Sequence, residues 1–317
     1  MAVPLQHLHS LQRTMLVPAP AEQQPLMVTL KKAAWQAAGG GIAGAGAMFI
    51  NVGTLMWMRT TVNFQYRYGM GTMEALRHLY KEGGIPRFYA GLGPALFQGP
   101  LSRFGDTAAN AGMLAIWDSY EVTKNAPAAA KTVTASAAAA GFRVFLMPID
   151  AMKTIMQVEG STGLAKLGAK IRTNGIFVLW HGSIGAMSAT FVGHYPWFLT
   201  NNVLNDYLPK YDRKKELPMY LARNAVVGFC SSAVSDTISN SVRVLKTTVQ
   251  SSTTPIGYGE AVSMVIAKDG VSGLLFRGLV TKIISNGFQG ILFSVLWRLG
   301  QDAWDQRQKD LAKAKAM

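Results

Sequence analysis

The sequence predicts an all-α membrane protein with six transmembrane helices in three tandem repeats. Three observations support this fold class. Of its 317 residues, 49% are hydrophobic and only 15% are charged, which is an apolar balance unusual for a soluble protein. A set of basic and polar positions recurs about every 94 residues, and a glycine opens the second apolar stretch of each unit. Self-similarity at a constant period of this kind indicates a repeat architecture.

The repeat is clearest where the first apolar stretch of each unit ends. A basic residue stands there and is followed directly by threonine. Asparagine or glutamine lies four positions after the basic residue. The three basic residues are Arg59, Lys153 and Lys246. Downstream, a glycine follows an aromatic residue by two positions in every unit, at Gly91, Gly182 and Gly278. The registered order of these features predicts three copies of one helical unit.

Each unit consists of an apolar helix rich in small residues, a polar loop with a short amphipathic helix, and a second apolar helix. The first helices are predicted at about 33–62, 129–158 and 219–250, and the second helices at about 91–121, 182–209 and 278–305. About 20 residues cross the hydrocarbon core of a bilayer, so each helix is long enough to span it. The short segments 71–85, 164–176 and 258–271 place apolar residues on one face, which is typical of a helix lying on the bilayer surface.

These units divide the chain into an N-terminal tail, three repeats and a C-terminal tail. The boundaries are 1–32, 33–125, 126–213, 214–307 and 308–317. The N-terminal segment is apolar, is broken by prolines and contains one arginine, so it makes at best a weak mitochondrial presequence.

Composition and motifs exclude several other classes of protein. Lysine and arginine outnumber aspartate and glutamate by 31 to 17, which fits a nucleic acid, an anionic surface or an anionic solute as partner. The apolar excess and the lack of a nucleic-acid-reading motif exclude the first of these. The single cysteine, Cys230, excludes an intramolecular disulfide and a cysteine-built metal site. Since no phosphate loop or catalytic motif is present, we expect no enzyme activity, no catalytic residues, no metal and no cofactor.

The stretch PIDAMKTIMQ resembles the motif Pro-x-Asp/Glu-x-x-Lys/Arg, which ends the first helix of each repeat in the mitochondrial carrier family. Pro148, Asp150, Lys153 and Gln157 match that motif, and YAGLGPAL at 89–96 is similar to the family's loop-to-second-helix motif. The resemblance extends over about residues 33–307. It implies a multi-pass solute carrier of the inner mitochondrial membrane, with a pseudo-threefold axis, a short surface helix on the matrix side of each repeat, and alternating access around a midplane site.

The resemblance also implies a matrix-side gate, in which the acid of each repeat meets the base of a neighbouring repeat. The residues of this implied gate are Arg59, Pro148, Asp150, Lys153, Gln157, Arg243 and Lys246. The acid position holds Met56 in the first repeat and Arg243 in the third, so only the ion pair between Asp150 and Lys246 remains of the three. The resulting excess of positive charge must be compensated by cardiolipin head groups, by a phosphate-bearing solute or by an acidic loop of a partner. We expect cardiolipin to be bound.

A second ion pair is expected nearer the membrane centre. Arg143 and Asp236 each lie seven residues before the gate positions 150 and 243, and therefore at equal depths on two first helices. Either they form a direct pair, or each faces a polar lumen alone.

In the family, solute contacts lie about halfway along the second helices. The corresponding candidates are Gln98, Arg103, Gly193, His194, Lys282 and Ser285. Most of these groups are small or neutral, which disfavours a nucleotide as solute. The alternative for 191–198 is a proline-kinked helix with interfacial aromatic residues and no solute contact.

Two functions remain open. The first is solute transport across the inner mitochondrial membrane, with the membrane lipids and an unidentified small solute as partners. The second is a carrier fold that no longer transports and serves as a subunit or adaptor of a larger inner-membrane assembly, for example a respiratory complex. The incomplete gate favours the second function more than it would in an ordinary family member.

Overall fold

The computed structural model describes residues 26–120, 123, 126–212, 215–292 and 296. The predicted C-terminal tail and most of the predicted N-terminal tail lie outside the described residues. Within these ranges the chain forms α-helices, short 3-10 turns and connecting loops, and no strand.

The helices alternate between long and short in the order that the sequence predicts. In chain order they are α1 Leu26–Tyr68, α2 Thr72–Phe88, α3 Leu92–Ser119, α4 Ala128–Glu159, α5 Gly163–Asn174, α6 Ser183–Tyr207, α7 Leu217–Ser251 and α8 Tyr258–Phe276, followed by α9 over 279–292. Two 3-10 turns, Gly160–Thr162 and Ile176–Trp180, flank α5. The pattern long, short, long therefore occurs twice, and the third unit shows a long helix, a short helix and the described part of a third helix.

The aligned glycines set the start of α3, α6 and α9. All three have positive φ, and Gly91, which caps α3, lies in the left-handed region at φ 82°. A Cβ at Gly91 would stand 2.9 Å from the backbone oxygen of Lys153. A side chain would therefore meet both backbone strain and a collision with α4, which explains why glycine opens this helix.

The long helices pack in succession. α1 contacts α3, α3 contacts α4, α4 contacts α6 and α6 contacts α7, while α1 also contacts α7. Apolar side chains fill the interface between α1 and α3, where Met48, Val52, Met56 and Ala95 form one cluster. The contact between α1 and α7 brings the first and last parts of this series together around a central space.

Two described segments, Ala130–Asn174 and Ile176–Tyr207, are long and apolar enough to cross a membrane by length and composition. α7 has more polar residues and buries Ser235, Asp236 and Asn240. Large apolar side chains such as Phe97 and Phe145 are exposed on the outside of the helices, at 70% and 79% of their surface. Buried polar groups and exposed large apolar side chains thus occur together, which is unusual for a soluble helical protein.

The short helices are attached to the long helices by buried cations. Arg87, at the end of α2, is 6% exposed and donates to the backbone oxygens of Gln157 at 2.9 Å and Val158 at 2.7 Å, at the end of α4. Its guanidinium also pairs with Glu82 at 2.9 Å. The last carbonyls of a helix lack intrahelical partners and carry partial negative charge, so a cation placed there is stabilising.

The same arrangement occurs twice more. Lys170 of α5 is 4% exposed and donates to the backbone oxygen of Ser252, directly after α7, at 3.0 Å. Arg277, directly after α8, is 7% exposed and donates to the backbone oxygen of Tyr66 at 3.3 Å, near the end of α1. The α2 region therefore binds the C-terminal end of α4, the α5 region binds that of α7, and the α8 region binds that of α1. We call these three contacts the cation ring.

Candidate functional site

A cavity of about 410 Å³ lies at the centre of the helices and is lined by side chains from α1, α3, α4, α6, α7 and α9. Its charged lining residues are Arg59, Asp106, Arg143, Asp150, Lys153, Asp236, Arg243, Lys246 and Lys282. Six cations against three carboxylates give the lining a formal net charge of +3. The lining of the cavity therefore carries an excess of positive charge.

Asp150 lines this cavity and joins side chains of two helices. Its residue is 6% exposed, and its Oδ1 accepts from the Lys153 ammonium at 2.7 Å. Its Oδ2 accepts from Lys246 of α7, and Gln250 of the same helix donates to this oxygen at 3.3 Å. Lys153 also donates to Gln98 of α3 at 3.2 Å. One carboxylate therefore joins α4 to α7, and one of its cations joins α4 to α3. This is the contact that the implied pairing of Asp150 with Lys246 requires.

Amide groups connect α1 to α4 at the same level. Gln157 is fully buried, its Oε1 accepts from the Asn63 amide, and its Nε2 lies 3.5 Å from the sulfur of Met56. Met56 occupies the position of the missing acid. A neutral hydrogen bond thus connects these two helices where the family motif implies an ion pair. Pro148 lies inside α4, which continues through it.

The third link also differs from an ion pair. Arg59 donates to Asn51 of its own helix at 3.1 Å and to the side-chain oxygen of Gln289 on α9. Arg243 donates to Ser239 at 3.1 Å, and its guanidinium lies 3.9 Å from Asp236. The two arginines that the implied pairing sets opposite each other therefore interact with other polar groups.

The structure corrects the expected pair of Arg143 with Asp236. Arg143 instead pairs with Asp106 of α3, at 2.9 Å to one carboxylate oxygen and 3.1 Å to the other, and also contacts Ser102. Asp236 accepts from the amide of Asn286 on α9. The comparison of depths considered only the first helix of each repeat, whereas α3 packs directly on α4 and supplies a closer carboxylate.

Most of the predicted solute contacts line the cavity. These are Gln98, Gly193, His194, Lys282 and Ser285, whereas the side chain of Arg103 lies outside the described residues. His194 Nδ1 lies 3.2 Å from the hydroxyl of Ser136, and the backbone oxygen of Gly193 accepts from Ser235 at 2.7 Å. Gly193 therefore also has a packing role between α6 and α7. That these residues contact a solute stays a prediction.

Sequence reasoning missed Asp106, Asn286 and Gln289. All three are polar groups in largely apolar helices, and that isolation is the signal that could have found them. Asp106 follows Gln98 by eight residues on α3, and Asn286 and Gln289 follow Ser285 by one and four residues on α9.

Two groups of the loop regions have shifted pKa values. Burial lowers the pKa of the Lys170 ammonium below its ordinary value, and the nearby Arg67 lowers it further. Burial also lowers the pKa of His181, in the turn before α6, with a further contribution from Lys170. His181 is therefore neutral at physiological pH.

Comparison with known proteins identifies the fold. Residues 124–212 and 218–300 match the family model described as Mitochondrial carrier protein, and together they make up more than half of the chain. The chain belongs to the mitochondrial carrier family. No match is found among the curated proteins. Membership in this family agrees with the all-α carrier fold described above, and it supports a carrier-like transport function in a membrane rather than catalysis. The matched segments overlap the stretches predicted as the second and third repeats, and the first segment begins two residues earlier than predicted.

Proposed function

We propose that this carrier moves a small solute across the inner mitochondrial membrane by alternating access. In this proposal α1, α3, α4, α6, α7 and α9 are the six spans of three repeats with the predicted boundaries, and α2, α5 and α8 lie on the matrix surface. The observation that carries the proposal is the central cavity, to which all six long helices contribute side chains. A site shared by every repeat is what alternation around a fixed midplane position needs.

The contacts of Asp150 support a gate that is closed in this state. Asp150 and Lys153 both lie on α4, so their ion pair can persist while the helix moves. The contact of Asp150 with Lys246 joins α4 to α7 and must break when these helices separate. Opening therefore breaks this ion pair and hydrates both groups. Substrate binding must supply the free energy that this exchange costs.

The test is transport by the purified full chain in liposomes that contain cardiolipin. Uptake would be measured for a panel of labelled small solutes: phosphate, dicarboxylates, amino acids and a nucleotide. We expect uptake of at least one solute by the parent and its loss in Lys246→Gln, with Lys81→Gln of the exposed surface of α2 as the control. Equal uptake by empty liposomes and by the parent for every solute would refute the proposal.

A second candidate function is a non-transporting subunit of an inner-membrane complex. The observation that favours it is the gate itself, because Met56 and Arg243 leave only one acid among the three acid positions. Stoichiometric copurification with a membrane complex from mitochondria, together with absence of uptake, would support this candidate. In either case we propose cardiolipin as a lipid partner, since the chain carries a net charge of +14.

A further inference from the structure

The charges of the cavity are not balanced evenly. Asp150 is in contact with two lysines, and Asp106 is in contact with Arg143. These two carboxylates are therefore already engaged by cations. The third carboxylate, Asp236, is 4% exposed and accepts from the Asn286 amide, and its other oxygen lies 3.9 Å from the Arg243 guanidinium.

Lys282 lies beside this third carboxylate without pairing with it. Its ammonium donates to the Asn286 side-chain oxygen at 3.0 Å, and within the described part of the chain no carboxylate comes within 4.0 Å of it. The nearby charges that act on it are three cations of the cavity, Arg59, Lys153 and Arg243, against the single carboxylate of Asp236. Lys282 is thus a cation facing a polar cavity with a neutral acceptor as its described partner.

Asn286 connects the members of this cluster. Its amide nitrogen donates to Asp236 and its oxygen accepts from Lys282, so one side chain orients both charged groups. Arg243 is held to its own helix by Ser239, and 32% of its side chain is exposed. A guanidinium has five donor hydrogens and an ammonium has three, and the described hydrogen bonds use one of each. Several donors of the two cations therefore remain available to a molecule in the cavity.

We infer that Arg243 and Lys282 form an anion subsite that binds a carboxylate or phosphate group of a small transported solute. This inference rests on the proposed transport function, because it names the chemical class of the solute. The volume of about 410 Å³ admits a small molecule. An anion would complete the charge balance around Asp236, whereas with a neutral or cationic solute the two cations would have only the single carboxylate of Asp236 as counter-charge.

The experiment measures binding and selectivity with the full chain in detergent. Thermal unfolding would be followed at constant ionic strength with inorganic phosphate, succinate and citrate as anionic probes and with glycerol as the neutral probe. We expect at least one anion to raise the melting temperature of the parent in a saturable way, and glycerol to have no such effect. In Lys282→Gln and Arg243→Gln the apparent Kd of that anion should rise by about tenfold or more, because a charge-assisted hydrogen bond is lost.

Two control variants separate the subsite from general charge and from folding defects. Lys81→Gln removes one positive charge on the exposed face of α2 and should keep the affinity of the parent. Lys282→Arg keeps the charge and should retain most of the anion effect, which a variant with a damaged fold would not do. Melting temperatures without ligand show whether each variant is folded.

Three results would overturn the inference. They are no effect of any of the three anions on the parent, equal affinity in Lys282→Gln and the parent, and stabilisation by cardiolipin alone, which would assign the cations to a lipid head group. The liposome assay keeps this inference separate from the transport proposal. Anion binding without uptake contradicts transport alone, and uptake that is insensitive to both substitutions contradicts the subsite alone.

Discussion

Replacement of Asp150 by asparagine isolates the electrostatic contribution of its ion pairs with Lys153 and Lys246. Asp150→Asn keeps the shape of the side chain and removes its charge, so the ammonium groups of Lys153 and Lys246 lose their shared counter-ion. Their side chains are only 16% and 18% exposed. Breaking a buried ion pair from one side costs about 3–5 kcal/mol, since the remaining charge is left uncompensated. Lys153 keeps Gln98 as a neutral acceptor, which offsets a small part of that loss.

The assay is unfolding of the purified chain in detergent, with Glu260→Gln as the matched control. Glu260 is an exposed carboxylate at the start of α8, so its neutralisation should change the free energy of unfolding by less than about 0.5 kcal/mol. The double variant Asp150→Asn with Lys246→Met should recover part of the loss, because it removes one of the two uncompensated charges. If Asp150→Asn unfolded with the same free energy as Glu260→Gln, the carboxylate would not hold these helices together.

Three further predictions concern the loops and the cation ring. Gly91→Ala should destabilise the fold by about 1–3 kcal/mol, because φ is 82° and the new Cβ meets a backbone oxygen of α4, whereas Gly93→Ala, with open space around it, should be neutral or slightly stabilising in the same unfolding assay. Arg87→Met should cost about 2–3 kcal/mol, since two helix-end carbonyls lose a charged donor, and an equal effect of Arg77→Met on the exposed face of α2 would contradict this reason. Because the pKa of His181 is lowered in the folded chain, the unfolded chain binds a proton more readily than the folded chain. The contribution of this group to the free energy of unfolding is therefore complete above about pH 6.5 and is lost as the pH falls through the folded pKa. Melting temperatures at about pH 7.5 and 5.5 should therefore differ less in His181→Gln than in the parent.

The sequence predicts the helical organisation better than it predicts the contacts of the charged groups. The alternation of long and short helices follows from local signals, apolar stretches that open at a glycine, and these do not depend on distant parts of the chain. The contact of Asp150 with Lys246 could be predicted because both residues occupy aligned positions of the repeated motif. The same alignment of repeats paired Arg143 with Asp236. This pairing was wrong because α3, which does not carry the motif, supplies Asp106.

The cation ring could not have been predicted by comparing repeats. Arg87 precedes the aligned glycine of its unit by four positions, Arg277 precedes its glycine directly, and Lys170 lies in the middle of α5. The three cations thus occupy non-equivalent positions, and their partners are backbone oxygens, which any sequence supplies. Only the three-dimensional arrangement shows that they perform the same role.

The cation ring also bears on the role of the loops that connect one unit to the next. Each of its contacts joins a side chain of one unit to the backbone of another, and none depends on the loops between α3 and α4 or between α6 and α7. The neighbour of each unit is therefore specified by noncovalent contacts as well as by chain order. We therefore expect a polypeptide cut in either loop to keep all three contacts and its fragments to stay associated.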